Sequence, residues 1–232
     1  KIEGSATADL GRIIGRKNKT VRKLTIGVRN GLTDRGVQLV MGEAQIEKET
    51  TDGFLISSGG EEYQSDNVLL CTGSETIIPP IKGINELDYW TSKEALESKE
   101  LPASLVVIGG GVIGIEFASF FNSMGVKVTV VEMMPEILGV MDKETSVMLR
   151  SEYEKRGVTF YLNTKVTAVS EGKVEVEKDG ETIELEAERV LLSVGRRPVL
   201  NGFGLENLSL ERFRNGLHVN EQMQTSNPHI FA

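Results

Sequence analysis

The sequence predicts an α/β protein built from three layers: helices, a parallel β-sheet and an antiparallel β-meander. Strand-like and helix-like patterns alternate between residues 105 and 166, which favours a parallel sheet with crossover helices. Nearly the same strand-like sequence also occurs twice, as "VLLCTG" at 68–73 and "VLLSVG" at 190–195, each time after a hairpin pattern. Only the second copy follows a strand–glycine–helix segment. We therefore expect one complete unit and the back half of a related one.

Composition sets the broad class of the protein. The chain has 232 residues, 39% of them hydrophobic, which is an ordinary globular composition. Its net charge of −8 gives no general attraction to nucleic acid or to an anionic membrane. The longest uncharged apolar run, 101–115, is interrupted by three consecutive glycines and is too short to span a bilayer. We expect no nucleic-acid or membrane partner.

A single cysteine, Cys71, limits the thiol chemistry of the chain. One cysteine excludes an internal disulfide and any Cys-x-x-Cys redox or zinc site, so we expect no metal. No signal peptide opens the sequence. Together these features favour a cytoplasmic location.

The first 84 residues form the predicted partial unit. A helix is expected around 19–32, and the alternating "VQLVMGEAQIEK" (37–48) is typical of a strand. A Gly-Gly turn predicts a hairpin over 52–64, and 68–73 reads as a strand buried on both faces. The proline- and glycine-rich 74–87 is interpreted as a linker that contains the first domain boundary.

Residues 85–200 form the predicted complete unit, and 201–232 the return of the chain into the first one. A buried strand at 105–108 leads into a helix with a phenylalanine-rich face, ended by Gly125. The elements that follow are a strand at 126–132, a helix from Asp142 to Arg156 ended by Gly157, a strand at 158–166, a hairpin around Asp179-Gly180 and the buried strand 190–195.

The segment "GGGVIG" carries the clearest chemical signal. It fits Gly-x-Gly-x-x-Gly, with Gly109 for a tight turn, Gly111 for close approach of a pyrophosphate, and Gly114 for close packing of helix on strand. Gly110, Val112 and Ile113 complete it. Because the motif lies between a strand and a helix whose N-terminus offers free N–H groups, it predicts a Rossmann-like dinucleotide site.

Two glutamates are candidate partners of the dinucleotide. Glu132 closes the next strand, 18 positions after Gly114 (132 − 114), where a carboxylate accepts hydrogen bonds from the adenosine ribose and repels a 2′-phosphate. This favours NAD(H) over NADP(H), the alternative being a solvated acid at a strand end. Glu116 is expected in the first turn of the helix. There its carboxylate either interacts favourably with the helix dipole or places a polar group near the nicotinamide.

Four segments carry a resemblance to a known family. "LVVIGGGVIGIEFASFFNSMGVKVTVVE", "LLCTGSETIIPP", "LLSVGRRP" and "QTSNPHIFA" together resemble the pyridine-nucleotide disulfide oxidoreductases, in the family's order and spacing over nearly all of the chain. Within the family, "LTIGVRNGLTDRGVQLVMGEA" and Glu132 are most similar to the dihydrolipoyl dehydrogenase branch.

The resemblance implies roles for individual residues. Gly109, Gly111, Gly114 and Glu132 would hold NAD, with Val166 beside the adenine and Gly195 near the nicotinamide end. Glu116 would face the nicotinamide and the flavin. For FAD, the resemblance implies a backbone contact from Ala44 and a turn formed by Thr72 and Gly73. Val199 stands where the family usually has Asn, which puts one loop contact in doubt.

The resemblance also implies an activity for the intact protein. It would oxidise dihydrolipoamide, free or on a lipoyl domain, and reduce NAD⁺ through FAD and a redox disulfide, as a homodimer. The family's first glycine motif, its cysteine pair and its catalytic His-Glu pair are not among these residues. His218 and His229 lie in turn-like contexts and are expected to be structural or surface residues. We therefore expect the 232 residues alone to bind NAD(H), to bind FAD weakly or not at all, and to be inactive.

Two alternatives remain open. The first is another NAD(H)-linked flavoprotein of the same family, of the transhydrogenase, peroxidase or mercuric-reductase type. The second is an RNA-binding module at Arg12–Leu24, whose "RIIGRKNKT" superficially resembles a K-homology loop. Between residues 1 and 24 there are seven basic residues against two acidic ones. A basic, solvated helix face is the simpler interpretation.

Overall fold

A computed structural model describes residues 7–232. The preceding six residues, which include Lys1 of the basic segment and the start of the predicted 1–84 domain, lie outside the described residues. The helices are α1 Leu10–Thr33, α2 Ser92–Glu97, α3 Val112–Ser123 and α4 Lys143–Lys155. The strands are β1 Ala44–Thr50, β2 Gly53–Ser58, β3 Glu61–Ser65, β4 Val68–Leu69, β5 Ser74–Thr76, β6 Ser104–Ile108, β7 Lys127–Val131, β8 Thr159–Tyr161, β9 Lys165–Ser170, β10 Gly172–Lys178, β11 Glu181–Ala187, β12 Arg189–Leu192, β13 Arg196–Pro198, β14 Arg212–Phe213, β15 Gly216–Leu217 and β16 Ile230–Phe231.

The chain divides into two compact units. The first contains Thr76–Gly195 together with α1 as far as Arg22. The second contains Lys23–Glu75 and Arg196–Ala232. The main segment of the first unit begins at Thr76 and not at the predicted residue 85, because the proline-rich segment that follows Thr76 belongs to this unit. The segment ends at Gly195 and not at the predicted residue 200.

A four-stranded parallel sheet forms the centre of the first unit, in the order β12-β6-β7-β8. Strands β6, β7 and β12 are rich in valine, isoleucine and leucine, the composition of strands that are covered on both faces. Side chains alternate between two hydrophobic clusters, with Leu105 and Val107 on one face and Val106 and Ile108 on the other. Phe121 of α3, which is fully buried, packs in the first cluster.

An antiparallel meander, in the order β11-β10-β9, covers the second face of that sheet. Val174 and Val176 of β10 are fully buried in the second cluster. Helices on one side and a meander on the other give the three-layer α/β architecture, and this confirms the predicted fold class.

The predicted helix ends of this unit are confirmed. The Asp142 side chain accepts a hydrogen bond from the Thr145 N–H at 3.0 Å, which caps α4. Gly125 and Gly157 follow α3 and α4 with φ of 89° and 95°, the left-handed conformation in which glycine avoids strain.

The second unit has a smaller core of its own. Its main sheet is the antiparallel β1-β2-β3, which includes the predicted hairpin, and β4 pairs in parallel with β16. Ile46, Phe54 and Ile230 are buried together in its hydrophobic cluster. Both predicted surface histidines, His218 and His229, are exposed in this unit.

The predicted start of the first helix was wrong, whereas the simpler interpretation of the basic segment as a solvated helix face is confirmed. Helix α1 starts at Leu10 instead of near residue 19, since Asp9 precedes it and its carboxylate accepts a hydrogen bond from the Arg12 N–H at 3.0 Å. The whole "RIIGRKNKT" segment is helical, although Gly15 and Asn18 are poor helix formers. A K-homology loop needs a non-helical turn here, so the structure removes the feature on which the RNA-binding alternative depended.

Three strand predictions also need correction. Residues 37–43 are not a strand, and β1 begins only at Ala44. β4 is two residues long, with Val68 buried but Leu69 67% exposed and Cys71 exposed beyond its end, so it is not buried on both faces. The expected strand 158–166 is two strands, β8 and β9, because the chain turns at Asn163, whose φ is 52°.

Candidate functional site

A cavity of about 680 Å³ opens at the carboxyl ends of β6, β7 and β12. β6 lies between β7 and β12, so the connections from the sheet leave on opposite sides of it, and such a switch point is where open α/β sheets bind ligands. The lining residues come from five segments: Pro79, Pro80 and Ile81; Ile108, Gly109, Gly111, Val112 and Ile113; Val131, Glu132, Met133 and Met134; Thr164, Lys165 and Val166; and Ser193, Val194 and Gly195.

Two glycines of the motif have structural roles. Gly109 has φ of 105°, and a Cβ on it would lie 2.6 Å from the Ser193 carbonyl oxygen. A Cβ on Gly114 would lie 2.1 Å from the Gly109 carbonyl oxygen and 2.6 Å from the Ser193 Oγ. These distances are far below van der Waals contact. The turn and the packing of α3 on β6 therefore require glycine at both positions.

Gly111 is different, because no atom lies within 4 Å of a Cβ placed on it. It is the N-cap of α3, with φ of −73° and ψ of 180°, a conformation open to any residue, and it faces the cavity. No side chain caps this helix end, and the first N–H groups of a helix lack intrahelical partners. A space beside unpaired N–H groups at a helix N-terminus fits a phosphate oxygen. The residues present thus fit the pyrophosphate of a dinucleotide.

Glu132 follows β7 directly and its carboxylate is fixed by two backbone N–H groups. Gly110 N–H donates to Oε2 at 2.6 Å, and Met134 N–H donates to Oε1 at 2.8 Å. Each carboxylate oxygen has two acceptor sites, so one on each oxygen remains for a further donor. The half-buried side chain lines the cavity, which suits a pair of ribose hydroxyls.

The predicted nucleotide residues fall into two groups. Gly109, Gly111, Val112, Ile113, Glu132, Val166 and Gly195 line the cavity. Gly110 and Gly114 lie behind it, where they set the backbone. Glu116 is neither in the first turn of α3 nor in the cavity wall, because α3 begins at Val112 and the Glu116 side chain is exposed. The helix-dipole explanation of Glu116 is therefore wrong.

The predicted flavin residues lie in the second unit. Ala44 opens β1 with an exposed side chain. Gly73 has φ of 73°, its carbonyl accepts a hydrogen bond from the Val199 N–H at 3.0 Å, and the Thr72 hydroxyl donates to the Val199 carbonyl at 2.8 Å. Since both contacts use the Val199 backbone, they do not depend on the side chain at that position.

Several cavity residues were missed by sequence reasoning. Pro79, Pro80 and Ile81 form one wall, although their composition is typical of a linker. Ser193 joins two edges of the site, since its hydroxyl lies 3.0 Å from the Gly109 carbonyl and 3.1 Å from that of Ile108. Ser193 directly follows β12, the strand that neighbours β6, and that position was the available signal for it.

Comparison with known proteins identifies the family. The family model for pyridine nucleotide-disulphide oxidoreductases matches residues 2–232. The chain belongs to this family. The expected resemblance to the family is thereby confirmed.

Curated relatives and solved structures agree with this membership. The chain is 37% identical over 233 residues to the dihydrolipoyl dehydrogenase of Acholeplasma laidlawii, covering 99% of this chain and 68% of the relative. It is 35% identical over 232 residues to that of Bacillus subtilis, with 94% and 49% covered. The HOCl-induced flavoprotein disulfide reductase RclA from Escherichia coli superimposes with a TM-score of 0.86 at 28% identity, covering 97% of this chain and 52% of that one.

The matched length differs between the two sides of each comparison. The chain spans about half the length of most of these relatives and two thirds of the Acholeplasma enzyme. Over residues 7–232, no helix is long and apolar enough to cross a membrane. Within the same residues, no cluster of three His, Cys, Asp or Glu side chains is arranged to hold a metal.

Proposed function

We propose that this chain is the NAD-binding portion of a flavin-dependent dihydrolipoyl dehydrogenase, which converts dihydrolipoamide and NAD⁺ to lipoamide and NADH. The observation that carries the proposal is the cavity in which open space at Gly111, the free N-terminus of α3 and the fixed carboxylate of Glu132 come together. Relatives named dihydrolipoyl dehydrogenase at 37% and 35% identity support the substrate.

In this proposal each element of the site has one task. The helix end and Gly111 receive the pyrophosphate, and Glu132 accepts hydrogen bonds from the adenosine ribose. Val166 contacts the adenine, while Gly195 lies toward the nicotinamide. The apolar wall excludes water from the path of hydride transfer, and that chemistry is supplied by the nicotinamide and the flavin. Glu132 disfavours a 2′-phosphate, so the cofactor is NAD(H) and not NADP(H).

We propose FAD contacts for Ala44, Thr72 and Gly73, and a homodimeric, cytoplasmic protein as the intact form. Glu116, exposed on α3, is proposed to face the flavin and the nicotinamide when both are bound. With Cys71 as its single cysteine, the 232-residue chain has no redox pair. We expect it to be inactive without the remainder of the protein and to bind FAD weakly or not at all.

The substrate is tested by following NADH absorbance in the intact protein supplied with dihydrolipoamide and NAD⁺. Steady formation of NADH that requires both reagents supports the proposal. The second candidate is another NAD(H)-linked disulfide reductase of the family, favoured by the structural similarity to RclA. NADH oxidation by a different disulfide acceptor, with no turnover of dihydrolipoamide, would support this candidate and contradict the first.

A further inference from the structure

We infer that Arg150 and Glu136 form a positioning pair that holds the loop carrying Glu132 against the glycine motif, and so sets the affinity of the cavity for the dinucleotide. This loop comprises residues 132–141 between β7 and α4. The inference rests on the proposed nucleotide site, and concerns residues outside the cavity wall.

The loop docks on Gly110 through both of its backbone groups. Gly110 N–H donates to Glu132 Oε2 at 2.6 Å, and its carbonyl accepts from the Leu138 N–H at 2.9 Å. Ile137 is fully buried beside it, with its Cγ2 3.1 Å from where a Cβ of Gly110 would be. The position of Gly110, next to Gly111, is therefore coupled to the conformation of the loop.

The Arg150 guanidinium of α4 holds the middle of this loop. It donates from Nε to Glu136 Oε1 at 2.9 Å and from a terminal nitrogen to Oε2 at 3.1 Å, a two-pronged contact with fixed geometry. Its other terminal nitrogen donates to Glu154 at 2.8 Å, which orients the guanidinium from the helix side. Glu136 Oε1 also accepts the Ile137 N–H at 2.9 Å, one residue before Leu138.

Burial makes this contact stronger than an ordinary surface ion pair. The Glu136 and Arg150 side chains are 13% and 22% exposed. By contrast, the ion pair between Arg156 and Glu152 is far more exposed, with side chains 58% and 46% accessible. Neither residue belongs to the loop. If Arg150 were lost, the Glu136 carboxylate would remain poorly solvated without its charged hydrogen-bond donor, and moving the loop toward water would relieve that cost.

Backbone strain gives the loop a reason to move when released. Leu138, whose N–H bonds to Gly110, has φ of 53°, a left-handed conformation that a leucine adopts only when its surroundings hold it. The ends of the loop have separate anchors: Thr164 N–H donates to the Glu132 carbonyl at 3.0 Å, and Asp142 caps α4. Loss of the pair therefore frees the middle of the loop.

The test compares Arg150→Gln with Arg156→Gln in the intact protein. NADH affinity is measured by calorimetry, and amide exchange over 133–141 by mass spectrometry. We expect Arg150→Gln to raise the NADH Kd about 5- to 10-fold, because a docked fraction of about 0.1–0.2 divides the affinity by that factor. Exchange should accelerate in 133–141 and remain unchanged in β6 and β7. The matched Arg156→Gln should shift the Kd by less than about 2-fold.

A second pair of variants keeps the inference testable if Arg150→Gln folds poorly. Glu136→Gln should also raise the Kd, and the double variant should raise it no further than Arg150→Gln does, because the same contact is removed in each case. Faster loop exchange without a change in Kd, or additive effects of the two substitutions, would overturn the inference. If wild-type protein does not bind NADH, the proposed function fails instead, and the exchange data alone then decide whether the pair holds the loop.

Discussion

Alanine substitutions at two glycines three residues apart should have different effects, one on folding and the other on dinucleotide binding. At Gly114 the new Cβ would lie 2.1 Å from the Gly109 carbonyl oxygen, a backbone atom that cannot rotate away. At Gly111 it would meet nothing within 4 Å, and the backbone there suits alanine. Gly114→Ala should therefore damage folding, whereas Gly111→Ala should damage binding of the dinucleotide.

The magnitudes follow from these contacts. Overpacking against backbone costs up to about 3 kcal/mol, which for a chain of this size lowers the Tm by about 6–12 °C. Alanine is a poorer N-cap than glycine by about 0.5–1 kcal/mol, so Gly111→Ala should lower the Tm by only about 1–4 °C. The Gly111 methyl group would occupy the space proposed for a phosphate oxygen, and the loss of one such charge-assisted contact, about 1.5–3 kcal/mol, weakens NADH binding about 10- to 100-fold.

The assay is thermal unfolding together with NADH titration of both variants and of wild type. NADH should raise the Tm of wild type but scarcely that of Gly111→Ala, since a ligand stabilises only the state that it binds. A Gly111→Ala protein with wild-type affinity would refute the proposal that a phosphate approaches this residue. A Gly114→Ala protein with wild-type Tm would refute the packing argument.

Two further predictions concern the surroundings of the cavity. The hydrogen bond from Arg150 holds the Glu136 pKa below its usual value of 4.5, so the pair stabilises the protein above that pH and loses its effect as the pH falls through the lowered pKa. The difference in Tm between wild type and Glu136→Gln should accordingly be largest near neutral pH, shrink as the pH falls below 4.5 and disappear once the pH is below the lowered pKa, and an equal difference at all pH values would contradict this. Ser193→Ala removes the hydroxyl that bonds to the Gly109 carbonyl, so urea unfolding should show a loss of about 1 kcal/mol and NADH titration a weaker affinity, while unchanged values of both would contradict its bridging role.

The sequence predicted well those parts of the fold that depend on residues close together in the chain. Valine-rich strands, the glycines that end helices and the Asp142 cap are each determined by neighbouring residues, and the first unit follows them closely. The glycine motif also predicted the strand, turn and helix that border the cavity, since the three are contiguous in sequence.

The features that the sequence did not predict share one physical origin. Each depends on contacts with residues that are distant in the sequence. "VLLCTG" and "VLLSVG" are almost identical, yet Leu191 is fully buried between two layers while Leu69 is 67% exposed. Pro79 and Pro80 line the cavity because of where the chain runs, and nothing in their composition indicates it. The Arg150–Glu136 pair joins residues fourteen positions apart across a loop, a distance that no helical spacing rule covers.

Calorimetric titration of wild type and Glu132→Ala with NADH and NADPH shows directly whether the cavity binds NAD(H) through the Glu132 carboxylate. Wild type should bind NADH and discriminate strongly against NADPH. In Glu132→Ala, NADH should bind about 10- to 100-fold more weakly, because hydrogen bonds to a carboxylate are lost, while NADPH gains relative to it. Equal binding of both nucleotides by wild type, or no effect of the substitution, would contradict the assignment of Glu132 to the ribose and of the cavity to NAD(H).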